Sequence, residues 1–310
     1  MIITITLNPA VDRTLSTAEF QRGRINRVES AIVDVGGKGI NVSKALRCLG
    51  RESIACGFIA GTNGRFVKDS LASLGIRHDF VEVCGQTRVN IKIVEPDGTH
   101  TDINEPGFPV SEQDTSRLLN KIKTFLKPSN LFVISGSTPP GMPLPAYGEI
   151  CRLITGAGVP LIVDADGPRL HHALSSHPDF VKPNMHELSA FAGFPITDVE
   201  SAVRGAELLH KAGAKNVVVS MGDIGAVFFG EKHDAIYVKP PAIHVLGPVG
   251  AGDAMVGALA AAMMDGQMSF ETIARYSVAM GTASAAIEGT RMATRREALA
   301  IFEDTAVHHI

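Results

Sequence analysis

The stretch that decides the fold is residues 131–166, LFVISGSTPPGMPLPAYGEICRLITGAGVPLIVDAD. Its two ends, 131–137 and 160–166, are short apolar runs of the length and composition of buried strands. The residues between them, 143–156, are spaced as a helix. Working outward, the same rhythm recurs. IITITL (2–7), SIACGFIA (53–60), DFVKPN (179–184) and NVVVSMG (216–222) read as further strands. Segments 39–49, 63–74, 111–126 and 199–212 read as helices, several closing in glycine (Gly50, Gly75, Gly213). Such alternation predicts an α/β fold, a mostly parallel sheet flanked by helices on both faces. Two segments break it, 12–35 and 86–104. The second contains RVNIKIVEPDGTHTDIN, which alternates like a hairpin around a turn at Pro96-Asp97-Gly98. They predict a small antiparallel β flap, a lid beside the main sheet, inside one domain covering 1–310. The flap's outer face shows no apolar stripe in sequence, and beyond residue 250 only helix is expected.

Composition narrows the function. With 45% hydrophobic and 20% charged residues over 310 positions, the chain can bury a large core. A net charge of −3 without a basic block argues against nucleic acid as partner. Cys48, Cys56, Cys84 and Cys151 form no C-x-x-C pair, which leads us to expect reduced thiols in a cytoplasmic protein. The first residues, MIITITLNPAVDR, lack a basic n-region and are expected to be a strand rather than a signal peptide. The longest apolar run, 254–264, falls short of the about 20 residues a membrane span needs.

Ligands of open parallel sheets bind beyond the carboxyl ends of the strands. The residues following each run there are small, acidic or amide: Asn8 and Asp12; Ser135-Gly136-Ser137; Asp164 and Asp166; Lys182, Asn184 and Glu187; Ser220, Gly222 and Gly225. Two glycine runs join them. In GPVGAGDAMVG (247–257), Gly250-Ala251-Gly252 leave successive N–H groups free to turn toward one point at the head of a helix, an anion hole suited to phosphate. Asp253 beside it can take a proton from a hydroxyl attacking that phosphorus, ionised at neutral pH if its pKa stays near 3.9. The alternative is that Asp253 caps the helix and the glycines only permit close packing. In GGKGIN (36–41), Lys38 can meet an anion and Asn41 can bond hydroxyls; the alternative is a glycine turn with a solvated lysine. Neither run is G-x-x-x-x-G-K-[ST], and no G-x-G-x-x-G follows the first strand, which disfavours a Walker-type nucleotidase and a Rossmann dehydrogenase.

Taken together, GGKGIN and GPVGAGDAMVG, with TLNPAVD (6–12), SGSTPPG (135–141), VKPNMHEL (181–188) and VSMGDIGA (219–226), resemble the ribokinase-like carbohydrate kinases of the phosphofructokinase B family over nearly the whole chain. Within it the likeness is to 1-phosphofructokinases, with tagatose-6-phosphate kinases sharing much of the pattern. The resemblance implies a ribokinase-like fold and ATP-dependent, Mg²⁺-assisted phosphorylation of a sugar phosphate. Asp253 matches the catalytic base, and Gly250, Ala251 and Gly252 the anion hole. Pro248 stands where many members have Thr, and no phosphate contact is assigned to it. Asp12, Gly37 and Asn41 match sugar contacts, and Ser137 a contact to sugar or phosphate. Lys38 and Arg88, with Arg27 as a further candidate, suit the phosphate already on the substrate. Asn184 and Glu187 match the N-x-x-E element that holds magnesium, and Lys182, Ser220, Gly222 and Gly225 the nucleotide side. The expected reaction is phosphorylation of D-fructose 1-phosphate at its 6-hydroxyl, ahead of tagatose 6-phosphate and fructose 6-phosphate. The flap offers a surface for a homodimer.

Overall fold

A computed structural model describes residues 1–310 except Glu231, Lys232, Pro248, Glu288 and Thr290. Elements are numbered along the chain. The central sheet holds β1 (Ile2–Thr6), β4 (Ser53–Ala60), β5 (Arg77–Val83), β8 (Leu131–Ser135), β9 (Leu161–Asp164), β10 (Phe180–Val181) and β11 (Asn216–Ser220), all parallel, in the order β5-β4-β1-β8-β9-β10-β11. The edge then continues antiparallel through β12 (Ala226–Gly230), β13 (His233–Lys239) and β14 (Ala306–His309). The strand β14 corrects the expectation of helix alone after residue 250, and β5, β12 and β13 are strands the sequence reading passed over. The run 179–184 is strand for only two residues, because Pro183 has no N–H for the ladder.

Period two along the strands sorts the core. Phe132, Ile134, Leu161, Val163, Val217 and Val219 face one side, beneath α3 (Glu112–Thr124), α4 (Leu144–Gly156), α5 (Gly167–Leu174), α6 (Met185–Ala192) and α7 (Val199–Lys211). Leu131, Val133, Ile162 and Val218 face the other, beneath α1 (Lys38–Cys48), α8 (Ala251–Asp265), α9 (Phe270–Ala285) and α10 (Arg295–Glu303). Both faces are therefore apolar, as a doubly covered parallel sheet requires. The methionine-rich 255–264 segment lies in this second layer, with Met255 buried.

The flap is a second sheet, β3-β2-β6-β7, built from β2 (Ala10–Ser16), β3 (Ser30–Gly36), β6 (Arg88–Val94) and β7 (His100–Asn104). Its outer pairs are antiparallel, but β2 and β6 meet in parallel, because each enters the flap directly from the site edge of the main sheet. Helix α2 (Gly61–Ser73) fills the angle between the sheets, with Val67 and Leu71 against Val11, Val35 and Ile59. Lys44 of α1 is buried and donates to Asp34 at 2.8 Å, tying the flap's base to the helix that opens the site. The flap does carry exposed apolar groups. Val33 and Ile103 share a face with Ile91, and Ile32 is 64% exposed, which corrects the reading of a stripe-free outer surface. All four cysteines are free thiols. Among the described residues, no helix is long and apolar enough to cross a membrane.

Candidate active site

The carboxyl ends of β1, β8, β9, β10 and β11 converge on one edge, and α1 and α8 both point their N-termini at it. Each of these helices starts on a glycine in a backbone region that L side chains avoid, Gly37 at φ 116° and Gly250 at φ 86°, and neither start has a side-chain cap. Their first N–H groups are left for another acceptor. Glycines around the α1 start also permit contact with β1 and β2: a Cβ on Gly39 would sit 2.5 Å from Thr6 Oγ1, and one on Gly36, the last residue of β3, 1.9 Å from Asp12 Oδ2.

Asp253 occupies the third position of α8 and is buried. It does not cap its helix. Its recorded bond is from Asn41 Nδ2 of α1, 2.8 Å to Oδ2, so one carboxylate oxygen is held while the other stays uncommitted. Burial, then the like charge of Asp164, push its pKa up to about 7, with the Asn41 bond and the two nearby lysines opposing. This overturns the expectation that Asp253 titrates near its reference value; the group is poised at neutral pH.

Asp164, at the end of β9, is fully buried and organises the cations. Lys38 Nζ and Lys182 Nζ approach the same oxygen, Oδ1, at 3.3 and 3.4 Å, and Ser135 Oγ donates to Oδ2 at 3.0 Å. These partners hold its carboxyl below the usual range against its own desolvation, and Asp164 in turn raises the Lys38 pKa. Lys182 also faces the α8 head: a Cβ on Gly252 would lie 3.4 Å from its Nζ. A buried cation thus sits over the backbone amides read as an anion hole.

On the flap side, Asp12 accepts from Asn90 Nδ2 at 2.9 Å, and burial raises its pKa. Arg88 donates through Nε to the Asn8 carbonyl at 3.3 Å. A cavity between flap and sheet is lined by Thr6, Asn8, Lys38, Arg88, Ser137 and Arg169 among others. Among the described residues, most buried side-chain polar atoms without partners belong to this neighbourhood: Thr6 Oγ1, Asn8 Oδ1, Asn41 Oδ1, Asn90 Oδ1 and Arg169 Nε. Orphans gathered in one place are the mark of a polar ligand's seat.

Farther along the sheet edge, Asn184 and Glu187 form a capping box at the head of α6. Asn184 Oδ1 accepts from the Glu187 N–H at 2.8 Å, and Glu187 Oε2 accepts from the Asn184 N–H at 2.9 Å. The remaining oxygen, Oε1, has only a 3.7 Å approach to Lys38 Nζ, leaving it able to accept from a metal-bound water. Ser220 ends β11 beside Asn184, and Gly222 opens a 3₁₀ turn, Gly222–Ile224, at φ 64° with open space around it. Gly225 is different. It is buried, and a Cβ there would meet the Val238 carbonyl at 2.2 Å, so close packing demands the glycine.

Residues 2–296 match the pfkB family carbohydrate kinases. The chain belongs to the pfkB family of carbohydrate kinases. It is 36% identical over 285 residues to the 1-phosphofructokinase of Borreliella burgdorferi, covering 92% of each chain. It is 35% identical to that of Bacillus subtilis, again covering 92% of each. Among solved structures, phosphofructokinase-2 from Escherichia coli in complex with potassium superposes with a TM-score of 0.92 at 31% identity, covering 98% of both chains. This pfkB kinase is therefore a phosphotransferase acting on a carbohydrate hydroxyl, with ATP as its donor.

Of the residues singled out in sequence, the fold gathers all but one at this edge. Arg27 lies in the loop joining β2 and β3 beyond the far end of the flap, exposed, its carbonyl held by the Thr17 hydroxyl. Flap strands carry it away from the pocket their bases line. Pro248 is outside the described residues. Sequence reasoning missed Arg169, which rides on α5, a helix not recognised. The Asp166-Gly167-Pro168 start was the available signal. It also gave Asp164 no role, since nothing in a linear pattern shows two lysines converging on one carboxylate.

Proposed function

We propose that the chain works as a single kinase domain that phosphorylates D-fructose 1-phosphate at its 6-hydroxyl, giving fructose 1,6-bisphosphate and ADP. The observation carrying this reading is the Asp253 carboxylate, buried beside an uncapped helix start, pinned on one oxygen by Asn41 and free on the other. The substrate's 6-hydroxyl gives its proton to the free oxygen as its own oxygen bonds to the γ-phosphorus. The bond to the bridging oxygen breaks in line, and ADP leaves with that electron pair. Amides of Gly250, Ala251 and Gly252, with Lys182, receive the migrating phosphoryl. Asp12 and Asn41 orient the sugar hydroxyls, with Gly37 allowing close approach. Lys38, Arg88 and Ser137 hold the phosphate already present. Ser220 and Gly222 flank the triphosphate.

Mg²⁺ fits here without a preformed cage, because it binds through one or two carboxylates plus substrate phosphates and keeps several waters. Glu187, with one uncommitted oxygen, and Asn184 beside it would hold it, and it would neutralise phosphate charge. The two curated relatives named above carry the 1-phosphofructokinase name, which favours fructose 1-phosphate over tagatose 6-phosphate and fructose 6-phosphate. A homodimer through the flap accords with exposed Val33 and Ile103; a monomeric sedimentation coefficient would remove it. A cytoplasmic setting suits free thiols and water-soluble substrates. The deciding test is ADP release from Mg-ATP with each of the three sugar phosphates. The highest kcat/KM for fructose 1-phosphate is expected, and turnover confined to another ketohexose phosphate would overturn the assignment.

A further inference from the structure

The first turn of α5 breaks two local rules at once. Arg169 stands at its third position, where the positive end of the helix dipole disfavours a cation. Asp166 is the N-cap residue, yet it makes no capping bond, and its carboxylate is given to the Arg169 guanidinium instead. Two local preferences surrendered in one turn call for a reason elsewhere. Both side chains line the cavity between flap and sheet, together with Lys38, Arg88 and Ser137. The Arg169 Nε is buried and has no partner, so the guanidinium's donors are only partly satisfied by Asp166. Its side chain is 21% exposed, and that of Asp166 51%, so the pair sits at the cavity wall rather than in the core.

We propose that Arg169 is a third substrate-phosphate ligand, held against Asp166 until the sugar phosphate arrives and then bonded to its non-reacting phosphate beside Lys38 and Arg88. This rests on the sugar-phosphate reading above, but not on which ketohexose is used. A dianion presents more acceptor sites than a lysine and one arginine fill, and a planar guanidinium satisfies two at once. Asp166 keeps the charge from standing unpaired when the cavity is empty, and its greater exposure lets water replace it as partner. Since the phosphate it grips does not react, Arg169 acts on substrate binding and on the choice of phosphorylated over plain sugars.

The experiment compares wild type, Arg169→Gln, Arg169→Lys and Asp166→Asn, using whichever of fructose 1-phosphate, fructose 6-phosphate and tagatose 6-phosphate the wild type turns over best. Loss of a charged hydrogen bond predicts a rise of about 10- to 100-fold in KM for the sugar phosphate in Arg169→Gln, with KM for ATP moving less than about twofold. Arg169→Lys should fall between, and Asp166→Asn should move KM less than Arg169→Gln does. A sugar-phosphate KM within about twofold of wild type, or an equal rise in KM for ATP, overturns the assignment. Thermal protection by inorganic phosphate supplies a second readout that needs no turnover. Protection present in wild type and lost in Arg169→Gln supports the site even if none of the three sugars is phosphorylated; equal protection in both removes it. Should Arg169→Gln not fold, the lysine variant decides by the same two measurements.

Discussion

Helices α6 and α8 start at the same edge of the sheet, and each has an acid at its third position, Glu187 in one and Asp253 in the other. The two acids do opposite things. Glu187 turns back to the N–H of Asn184, and the Asn184 side chain returns the bond, so α6 closes its own end. Asp253 has a glycine at the corresponding cap, receives its bond from Asn41 on another helix, and is buried with its pKa pushed up to about 7. The difference lies in the cap residue and the neighbour. A carboxylate with a capping partner puts one oxygen into its own helix end, whereas one denied that partner and held by a distant amide takes no part in its helix end and is available as a base.

The largest expected effect falls on α8. Asp253→Asn should lower kcat by about 10²- to 10⁴-fold while sugar phosphate and ATP still bind, because the amide cannot take the proton. In the parent enzyme the carboxyl must be ionised to act. Its raised pKa therefore predicts that kcat/KM climbs as pH rises through about 7 and falls away below it. Near-normal turnover in the variant, or a flat profile between pH 6 and pH 8 (roughly one unit either side of the pKa), would make the two acids alike after all.

Glu187 supplies a smaller and sharper test. Gln is accepted at the third position of a capping box, so Glu187→Gln should keep the helix end while removing the charge. If the uncommitted oxygen serves magnesium, half-maximal activity will need about 10-fold more Mg²⁺ or above, without a loss in Tm. Glu187→Ala should lose both. A Tm loss in the Gln variant with an unchanged Mg²⁺ requirement would leave Glu187 as a cap alone.

How much of this was legible in sequence follows from the range of the forces involved. The βαβ rhythm is local, since period and length suffice, and it located the parallel strands from β1 to β11 apart from the edge strand β5. Of the antiparallel edge strands β12 to β14 that were passed over, β14 joins from the far end of the chain, a long-range pairing without a local pattern. The glycine-headed starts of α1 and α8 were visible because glycine is required where φ is positive and backbone must stay bare. The charge state of Asp253 was not, since it depends on burial and on Asp164, 89 residues earlier (253 − 164). Arg169 was invisible for a related reason: its significance lies in the cap it displaces and the cavity it faces.

Stability offers the finest discrimination between the two helix heads, because the signs should oppose. Removing the cap in Asn184→Ala should cost about 1 kcal/mol at any pH where the box is formed. Asp253→Asn should instead stabilise the fold, and only above acid pH. The folded pKa of Asp253 lies above its unfolded one, so below about pH 4 both states are protonated and burial carries no ionisation penalty. As pH rises the unfolded chain ionises first and gains relative to the folded one, until the folded carboxyl also ionises near pH 7; the penalty is then complete. The amide never incurs it. Thermal unfolding at about pH 5 and about pH 8 should thus show the advantage of Asp253→Asn growing with pH, worth roughly 2–4 °C in Tm at the upper end. An Asn variant that loses stability equally at both would mean that the Asp253 carboxylate, like the Glu187 one, serves mainly to hold its own helix.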